Sequence, residues 1–268
     1  MSEFRSLNDE AGEIWDANAD FWDSRMGEGN SFHKQLIEPS QLRMLDLKQD
    51  DRVLDVACGN GQFARKMAEL GASVLATDIS RRMIDNARQR PQEGAEPIEY
   101  RVVDATDEGQ LLALGVAAFD AVVCTMAIMD MASIKPLARV ARALLKPGGR
   151  FVFSAMHPCF STPEGLTRFV EREESGGEVV DRYGVKVYQY IESKIYKGVA
   201  MIGQPVPQHY FHRPLHALLG SFLEVGLVMD GIEEPVFEKD ASPSLPLDWD
   251  NFRELPPALV VRMRPSAL

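Results

Sequence analysis

The chain has 268 residues, 45% of them hydrophobic and 26% charged, and its length allows one large domain or a domain with an elaborated cap. The formal net charge of −11 disfavours a nucleic-acid partner, because phosphate backbones attract basic proteins. The three cysteines form no C-x-x-C pair, so neither a disulfide framework nor a metal site is expected. The N-terminus is polar, unlike a signal peptide, and no apolar run approaches the roughly 20 residues of a bilayer span. We therefore expect a cytoplasmic protein with no membrane partner.

The first fifty residues are predicted to be helical. Apolar side chains recur at helical spacing on both sides of a glycine-containing loop at residues 27–30, and Pro39 is expected to break the second helical segment. We expect residues 1–50 to form an N-terminal helical cap, and residues 51–268 to form the main domain.

Strands and helices alternate from residue 51 to residue 157. The predicted strands read RVLDVA, SVLATD, IEYRVVD, FDAVVCTM and RFVFSAMH, and Ser80 is placed to cap a helix that Pro91 ends. This alternation predicts an α/β fold with a doubly wound, mostly parallel sheet and helices on both faces. Such sheets bind ligands at the carboxyl ends of their strands.

Residues 159–208 interrupt the alternation. The first half of this segment is polar and turn-rich, whereas VKVYQYIESKIY alternates and is typical of a short antiparallel strand pair. We expect an insertion after strand 5 that covers the site. The helix PLHALLGSFLEVG and the strands LVMDGIEEPV and ALVVRMR follow it.

A glycine motif follows the first strand. Gly59, Gly61 and Ala64 match the spacing G-x-G-x-x-[GA], in which the glycines allow a tight turn and close approach of a ligand. By itself this spacing also fits a simple strand–helix connection. Asp78 ends the second strand and is placed to accept hydrogen bonds from ribose hydroxyls, although an acid there also suits a helix N-terminus.

Two further acids narrow the ligand class. Asp104 ends the third strand, where it is either a turn residue or an acceptor for the exocyclic amine of adenine. Together with the glycines, this pattern fits a nicotinamide enzyme or an adenosyl enzyme. Asp55 lies four residues before Gly59, where it would repel a pyrophosphate and suit a ligand with a cationic amine and a sulfonium.

These segments resemble the class I S-adenosylmethionine-dependent methyltransferases. VLDVACGNGQFA, LATDIS and VVDATD are similar to the first three motifs of that family, and FDAVVCTMAIMD and LLKPGGRFVFS to its fourth and fifth strand segments. The resemblance is strong over residues 51–157 and moderate over 209–264. It implies a Rossmann-like sheet of seven strands, S-adenosylmethionine as cofactor and S-adenosylhomocysteine as product.

The resemblance also implies residue roles. The glycine loop would line the methionine part of the cofactor, Asp55 would reach its amine, Asp78 would hold the ribose and Asp104 would read the adenine edge. The residues assigned to the cofactor are Asp55, Ala57, Gly59, Asn60, Gly61, Asp78, Ile79, Asp104, Ala105, Thr125 and Met126.

The sequence says less about the residues that bind the methyl acceptor, because methyl transfer needs a general base only if the acceptor must lose a proton. His157, at the end of the fifth strand, and His33, in the cap, are the candidate catalytic residues, and a structural role is the alternative for each. The candidate substrate-binding residues are Trp15, Trp22, His157, Tyr210 and His212.

The substrate is expected to be a small molecule that is methylated on oxygen or nitrogen. The segment CTMAIMD lacks the N-P-P-[FY] tetrapeptide of methyltransferases that act on planar amino groups. An RNA methyltransferase, a non-catalytic cofactor-binding protein and a nicotinamide dehydrogenase remain alternatives. Monomer and homodimer are both open.

Overall fold

The computed structural model describes residues 2–91, 97–161, 166–238 and 245–266. The strands are β1 (Arg52–Val56), β2 (Ser73–Asp78), β3 (Glu99–Val102), β4 (Phe119–Cys124), β5 (Leu145–Met156), β6 (Leu166–Ser175), β7 (Glu178–Val187), β8 (Lys194–Gly198), β9 (Gln208–His212), β10 (Leu227–Glu233) and β11 (Ala258–Pro265). The helices are α1 (Ser2–Met26), α2 (Glu38–Leu45), α3 (Gln62–Glu69), α4 (Arg81–Gln89), α5 (Glu108–Leu112), α6 (Lys135–Leu144) and α7 (Leu215–Leu223).

Seven strands form the central sheet in the order β10-β11-β5-β4-β1-β2-β3. The pairs from β5 to β3 are parallel, whereas β11 runs antiparallel to both β5 and β10. The strand order reverses between β1 and β4, which is where an open α/β sheet leaves a crevice for a ligand. The structure confirms the predicted doubly wound, mostly parallel, seven-stranded sheet.

Each face of the sheet is covered by helices. On one face α6 and α7 pack over the aromatic side chains of β5, and the rings of Phe153 and Phe222 stack with centroids 5.2 Å apart. On the other face α2, α3 and α4 bury Leu45, Met67 and Ile84. Successive side chains of β5 are buried in turn on one face of the sheet and then on the other, because side chains alternate between faces along a strand.

The N-terminal helices pack across the main domain. Helix α1 contacts α4 and β9, and its Asp16 carboxylate accepts a hydrogen bond from the Ser80 hydroxyl at 2.6 Å. The expectation that Pro39 breaks the second helix was wrong. A π-helical turn at His33–Ile37 leads directly into α2, and Pro39 occupies the first turn of α2, where a missing N–H costs little.

The first half of the predicted insertion is a long β-hairpin, not an irregular polar stretch. Strands β6 and β7 pair in antiparallel register, and Gly176 and Gly177 form the turn with φ of +64° and +86°. Two consecutive residues with positive φ match the right-handed twist of the flanking strands. Strands β8 and β9 form a second antiparallel pair, but only the last three residues of the alternating segment VKVYQYIESKIY, from Lys194, belong to it. Residues 162–165 lie outside the described residues.

None of the helices in the described ranges is long and apolar enough to cross a membrane.

Arg150 ties the N-terminal region to the sheet. Its guanidinium is almost completely buried and donates to the backbone oxygens of Leu45, Asp46 and Asp120, while it pairs with the Asp51 carboxylate. A buried charge is tolerated only when it is paired and hydrogen-bonded, so this single side chain of β5 links the end of α2 to the start of β1.

We therefore expect Arg150→Met to lower the free energy of unfolding by about 3 kcal/mol, because it leaves a largely buried carboxylate unpaired. Urea denaturation followed by circular dichroism measures the change. Arg43→Met is the matched control, since the Arg43–Glu233 pair is exposed and is expected to contribute less than about 1 kcal/mol. Equal losses in the two variants would contradict this account of Arg150.

Candidate active site

A cavity of about 190 Å³ lies at the edge of the sheet where β1, β2, β3 and β4 end. Helix α1 covers it with Ala11, Trp15 and Trp22. Of the residues that the resemblance assigns to the cofactor, all but Gly61 line this cavity; they are Asp55, Ala57, Gly59, Asn60, Asp78, Ile79, Asp104, Ala105, Thr125 and Met126. The fold thus brings together side chains from four successive strand ends.

Asp55 is the most unusual of these residues. Its side chain is fully buried in β1 and lines the cavity, yet neither carboxylate oxygen has a hydrogen-bond partner among the described residues. Burial, with the nearby charge of Asp78, raises the pKa of Asp55 well above its usual value. Buried carboxylates normally have partners, so this one is arranged for a donor or a cation that enters the cavity.

Asp78 holds the glycine loop against β2. Its Oδ2 accepts a hydrogen bond from the Gly59 N–H at 2.9 Å, and its Oδ1 accepts one from the Ser80 N–H at 2.8 Å. Burial raises the pKa of Asp78 to about 6, although these two hydrogen bonds oppose the shift. The carboxylate therefore lines the cavity in a fixed orientation, with lone pairs available for further donors.

Asp104 lies at the far end of the cavity, beside α1. Its Oδ1 accepts hydrogen bonds from the N–H and the hydroxyl of Thr106, and its Oδ2 accepts one from the Asn8 side-chain amide. Ile79 and Ala105 provide apolar surface next to it. An apolar slot bordered by a hydrogen-bonded acid suits a flat heterocycle with an exocyclic donor.

The backbone of the cavity wall contains strained positions. Ala57 and Met126 have φ of +57° and +52°, a region that residues with a side chain rarely adopt. Gly61 has φ of +74°, and a Cβ there would lie 2.5 Å from the Tyr100 hydroxyl. Gly61 therefore serves the turn and its packing on β3, whereas the sequence analysis assigned it to the cofactor.

Two indole rings of α1 face the cavity, as expected for residues that cover a ligand. The rings of Trp15 and Trp22 meet edge to face with centroids 5.3 Å apart. The Trp22 indole N–H is buried and has no acceptor among the described residues. The cavity thus contains an unsatisfied donor in addition to the unsatisfied Asp55 acceptor, and both remain for a ligand.

His33 lines the cavity, but its chemistry does not suit a base. Its Nδ1 accepts a hydrogen bond from the Gln62 amide at 2.9 Å, so in the neutral ring Nε2 carries the proton. Burial lowers the pKa of His33 to about 4, which keeps the ring neutral at neutral pH. The structure therefore favours His33 as a hydrogen-bond donor, and its predicted catalytic role stays a prediction.

His157 lies outside the residues that line this cavity. Its Nδ1 accepts from the Cys159 N–H at 3.2 Å, and its Nε2 donates to Glu234 at 2.8 Å. Both ring nitrogens are thus occupied, and burial lowers the pKa of His157. This geometry favours the structural role over the predicted catalytic and substrate-binding roles.

Tyr210 and His212 line a second cavity, next to the first. It lies between β8–β9 and the turn Ile128–Asp130, and it has a volume of about 350 Å³. His212 donates from Nε2 to the Tyr190 carbonyl at 2.7 Å, whereas the Tyr210 ring stacks on Tyr196. The two predicted substrate residues therefore line the second cavity and not the first.

Sequence reasoning missed several residues that line the first cavity, chiefly Asp130, Gln62, Asn8 and Met131. Asp130 is the most informative omission, because the acid that ends the segment CTMAIMD after β4 was visible in the sequence. The other three lie on helices or loops, where no sequence pattern marks the face that points to a ligand. No group of three or more His, Cys, Asp and Glu side chains in the described ranges could hold a metal ion.

Known proteins similar to this chain are methyltransferases, in agreement with the geometry of the first cavity. A family model described as a methyltransferase domain matches residues 54–153. A ubiquinone biosynthesis O-methyltransferase of Xanthomonas axonopodis pv. citri is 36% identical over 106 residues, which cover 40% of this chain and 43% of the relative. The corresponding enzyme of Xanthomonas oryzae pv. oryzae is 31% identical over 140 residues, which cover 51% and 56%. The chain spans about half the length of these curated relatives.

Solved structures extend the similarity beyond the matched domain. An S-adenosylmethionine-dependent methyltransferase from Mesorhizobium loti is 26% identical, with a TM-score of 0.65, over 84% of this chain and 96% of that one. A second such protein, from Listeria monocytogenes, has 23% identity and a TM-score of 0.62, over 84% and 96% of the two chains, and shows the shared fold.

The state of Asp55 predicts a pH dependence of stability. Because its pKa is raised in the folded protein, the folded state keeps a proton that the unfolded state releases above about pH 4, so Asp55 reduces stability as pH rises. We expect the unfolding free energy of Asp55→Asn, relative to the native protein, to increase between about pH 5 and pH 8. The slope is at most about 1.4 kcal/mol per pH unit.

Urea denaturation of both proteins across this pH range measures the difference. Asp181→Asn is the control, because Arg172 lowers the pKa of Asp181 and the group is ionised in both states throughout the range. A difference between Asp55→Asn and the native protein that does not change with pH would contradict the raised pKa of Asp55.

Proposed function

Because the chain belongs to the class I S-adenosylmethionine-dependent methyltransferases, we propose that it transfers a methyl group from S-adenosylmethionine to an oxygen or nitrogen of a small-molecule acceptor. One observation carries the proposal: the buried carboxylate of Asp55 faces the cavity without a partner, next to the second buried acid Asp78. A cation in the cavity stabilises the ionised form of both carboxyl groups, so the pair favours a cationic ligand over an anionic one.

The residues present fit this cofactor. Asp55 would accept hydrogen bonds from the amino group, Asp78 would hold the ribose hydroxyls, and Asp104 with Ile79 would bind the adenine. When bound, the cofactor supplies an electrophilic methyl group on a sulfonium. The aromatic faces of Trp15 and Trp22 attract such a cation and exclude water from it. Thr125 and Met126, at the end of β4, would close the pocket beside the sulfur.

Several observations favour a small acceptor. The first cavity is covered by α1, and β9 packs against both α1 and the turn Ile128–Asp130. The net charge of −11 opposes a polyanion such as RNA. The matched relatives are named O-methyltransferases, which favours oxygen as the acceptor atom. On this proposal, residues 1–50 act as the cap and residues 159–208 as the insertion that encloses the acceptor.

We also propose that the protein works in the cytoplasm. Cys58, Cys124 and Cys159 are all free, as expected in a reducing compartment.

Calorimetric titration tests the cofactor assignment. We expect S-adenosylmethionine and S-adenosylhomocysteine to bind with micromolar affinity and NAD not to bind. Asp78→Asn is expected to weaken both adenosyl ligands at least about tenfold, because a charge-assisted hydrogen bond contributes about 1.5–3 kcal/mol.

Asp85→Asn is the matched control, since Asp85 lies on the outer side of α4 with Arg88 as its partner and does not line the cavity. We expect this variant to bind all three ligands as the native protein does. Binding of NAD, or equal affinity of Asp78→Asn and the native protein for the adenosyl ligands, would overturn the assignment.

A further inference from the structure

The second cavity has the character of a binding site for a flat, apolar molecule. Its walls include the side chains of Met129, Met156, Pro158, Tyr196, Tyr210 and Phe211. Tyr196 and Tyr210 are directly paired across β8 and β9, and their rings stack with centroids 5.1 Å apart and planes inclined by 23°. A stacked aromatic pair in a cavity wall offers apolar ring surface against which another planar ring packs well.

The two cavities share one wall. The turn Ile128–Asp130 follows β4, and Ile128 and Met129 line the second cavity, whereas Asp130 lines the first. The turn is held by the half-buried Arg213 side chain, which donates to the backbone oxygen of Ile128 at 3.2 Å and to that of Met131 at 2.6 Å. This anchoring fixes the position of Asp130 between the two cavities.

The orientation of the Asp130 carboxylate is also fixed. Its Oδ1 accepts a hydrogen bond from the Gln208 amide at 3.1 Å, and Gln208 in turn accepts one from the Gln204 amide at 3.1 Å. Gln208 is 2% exposed, so this support is dry and rigid. Among the described residues, Asp130 has no other hydrogen-bond donor and no cationic partner, so the carboxylate does not serve a structural ion pair.

The surroundings of Asp130 tune its acidity. Burial raises the pKa of Asp130 to about 8, although the Gln208 hydrogen bond opposes the shift. A carboxyl group with a pKa near the working pH both takes up and releases a proton readily. Burial also raises the pKa of Tyr196 to about 12 and that of Tyr210 further, and the Asp130 charge adds to both shifts. The two tyrosines therefore remain neutral beside it.

We propose that the second cavity binds the methyl acceptor, a planar molecule with a phenolic hydroxyl group, and that Asp130 accepts the proton of that hydroxyl. This proposal rests on the proposed methyltransferase function. The acceptor ring packs against Tyr196 and Tyr210, and its hydroxyl points past the turn Ile128–Asp130 towards the first cavity.

The proton and electron balance follows from this arrangement. A lone pair of the acceptor oxygen forms the new bond to the methyl carbon, and the electrons of the breaking carbon–sulfur bond stay on sulfur, which becomes a neutral thioether. The O–H proton goes to the Asp130 carboxylate and leaves to water after the product departs. Gln208 is a positioning residue, because it orients the carboxylate without touching the acceptor.

A binding experiment tests the cavity without requiring turnover. The probe is 2-naphthol, titrated by fluorescence into the full-length protein in the presence of S-adenosylhomocysteine. We expect binding to the native protein and at least tenfold weaker binding to Tyr210→Ala. Tyr188→Ala, which removes an exposed tyrosine outside both cavities, is the matched control and is expected to bind like the native protein.

The affinity of each variant for S-adenosylhomocysteine separates the two proposals. If the native protein fails to bind S-adenosylhomocysteine, the proposed function fails. If it binds S-adenosylhomocysteine but not 2-naphthol, or if Tyr210→Ala binds 2-naphthol as tightly as Tyr188→Ala does, the acceptor site is wrong while the proposed function stands.

A comparison of acceptors tests Asp130. Methyl transfer from labelled S-adenosylmethionine is measured for 2-naphthol and for 4-nitrophenol, which is already ionised at about pH 8 and needs no base. We expect Asp130→Asn to lower kcat for 2-naphthol on the order of 100-fold or more, with little change for 4-nitrophenol and an unchanged affinity for S-adenosylhomocysteine. An equal loss of kcat for both phenols would show that Asp130 has only a structural role. If the native protein methylates neither phenol, the assignment of a phenolic acceptor is overturned.

Discussion

Two acidic side chains, Asp55 and Asp78, are buried at the ends of neighbouring parallel strands, and the rest of the site depends on how that burial is compensated. Removing an ionised carboxylate from water costs several kcal/mol unless hydrogen bonds or a counter-charge replace the lost hydration. Two backbone N–H groups do this for Asp78, whereas the described part of the protein offers Asp55 nothing. Asp55 therefore keeps its proton, and a ligand that brings donors and positive charge favours the ionised form.

The doubly wound sheet is what places these acids together. Strand β1 lies between β2 and β4, and the loops after these strands diverge at the point where the strand order reverses. The crevice between them is long enough for Asp104 at one end and Thr125 at the other. The opposite side of the site comes from α1 and from β9, which are distant in sequence. The walls of the two cavities thus come from parts of the chain that are distant in sequence.

Sequence reasoning predicted the sheet and selected many of the residues that line the first cavity, because both depend on local patterns. Apolar strand segments, a capping Ser80 and acids at three strand ends are readable without knowing the fold. The β6–β7 hairpin was missed because it carries polar side chains on both faces, so its strands lack the alternation of a half-buried sheet. Asp130 was missed because its significance comes from Gln208, Tyr196 and Tyr210, which lie 66 or more residues away in sequence.

Helix α1 is attached to the main domain by two kinds of contact. Its inner face buries apolar side chains such as Ala11 and Ile14, whereas its contact with α4 includes the surface ion pair between Asp20 and Arg82. Exposed ion pairs contribute little at equilibrium, and salt screens them over about 10 Å at 0.1 M ionic strength. Because α1 is also a wall of the first cavity, salt weakens one of the two attachments of that wall and leaves the apolar one unscreened.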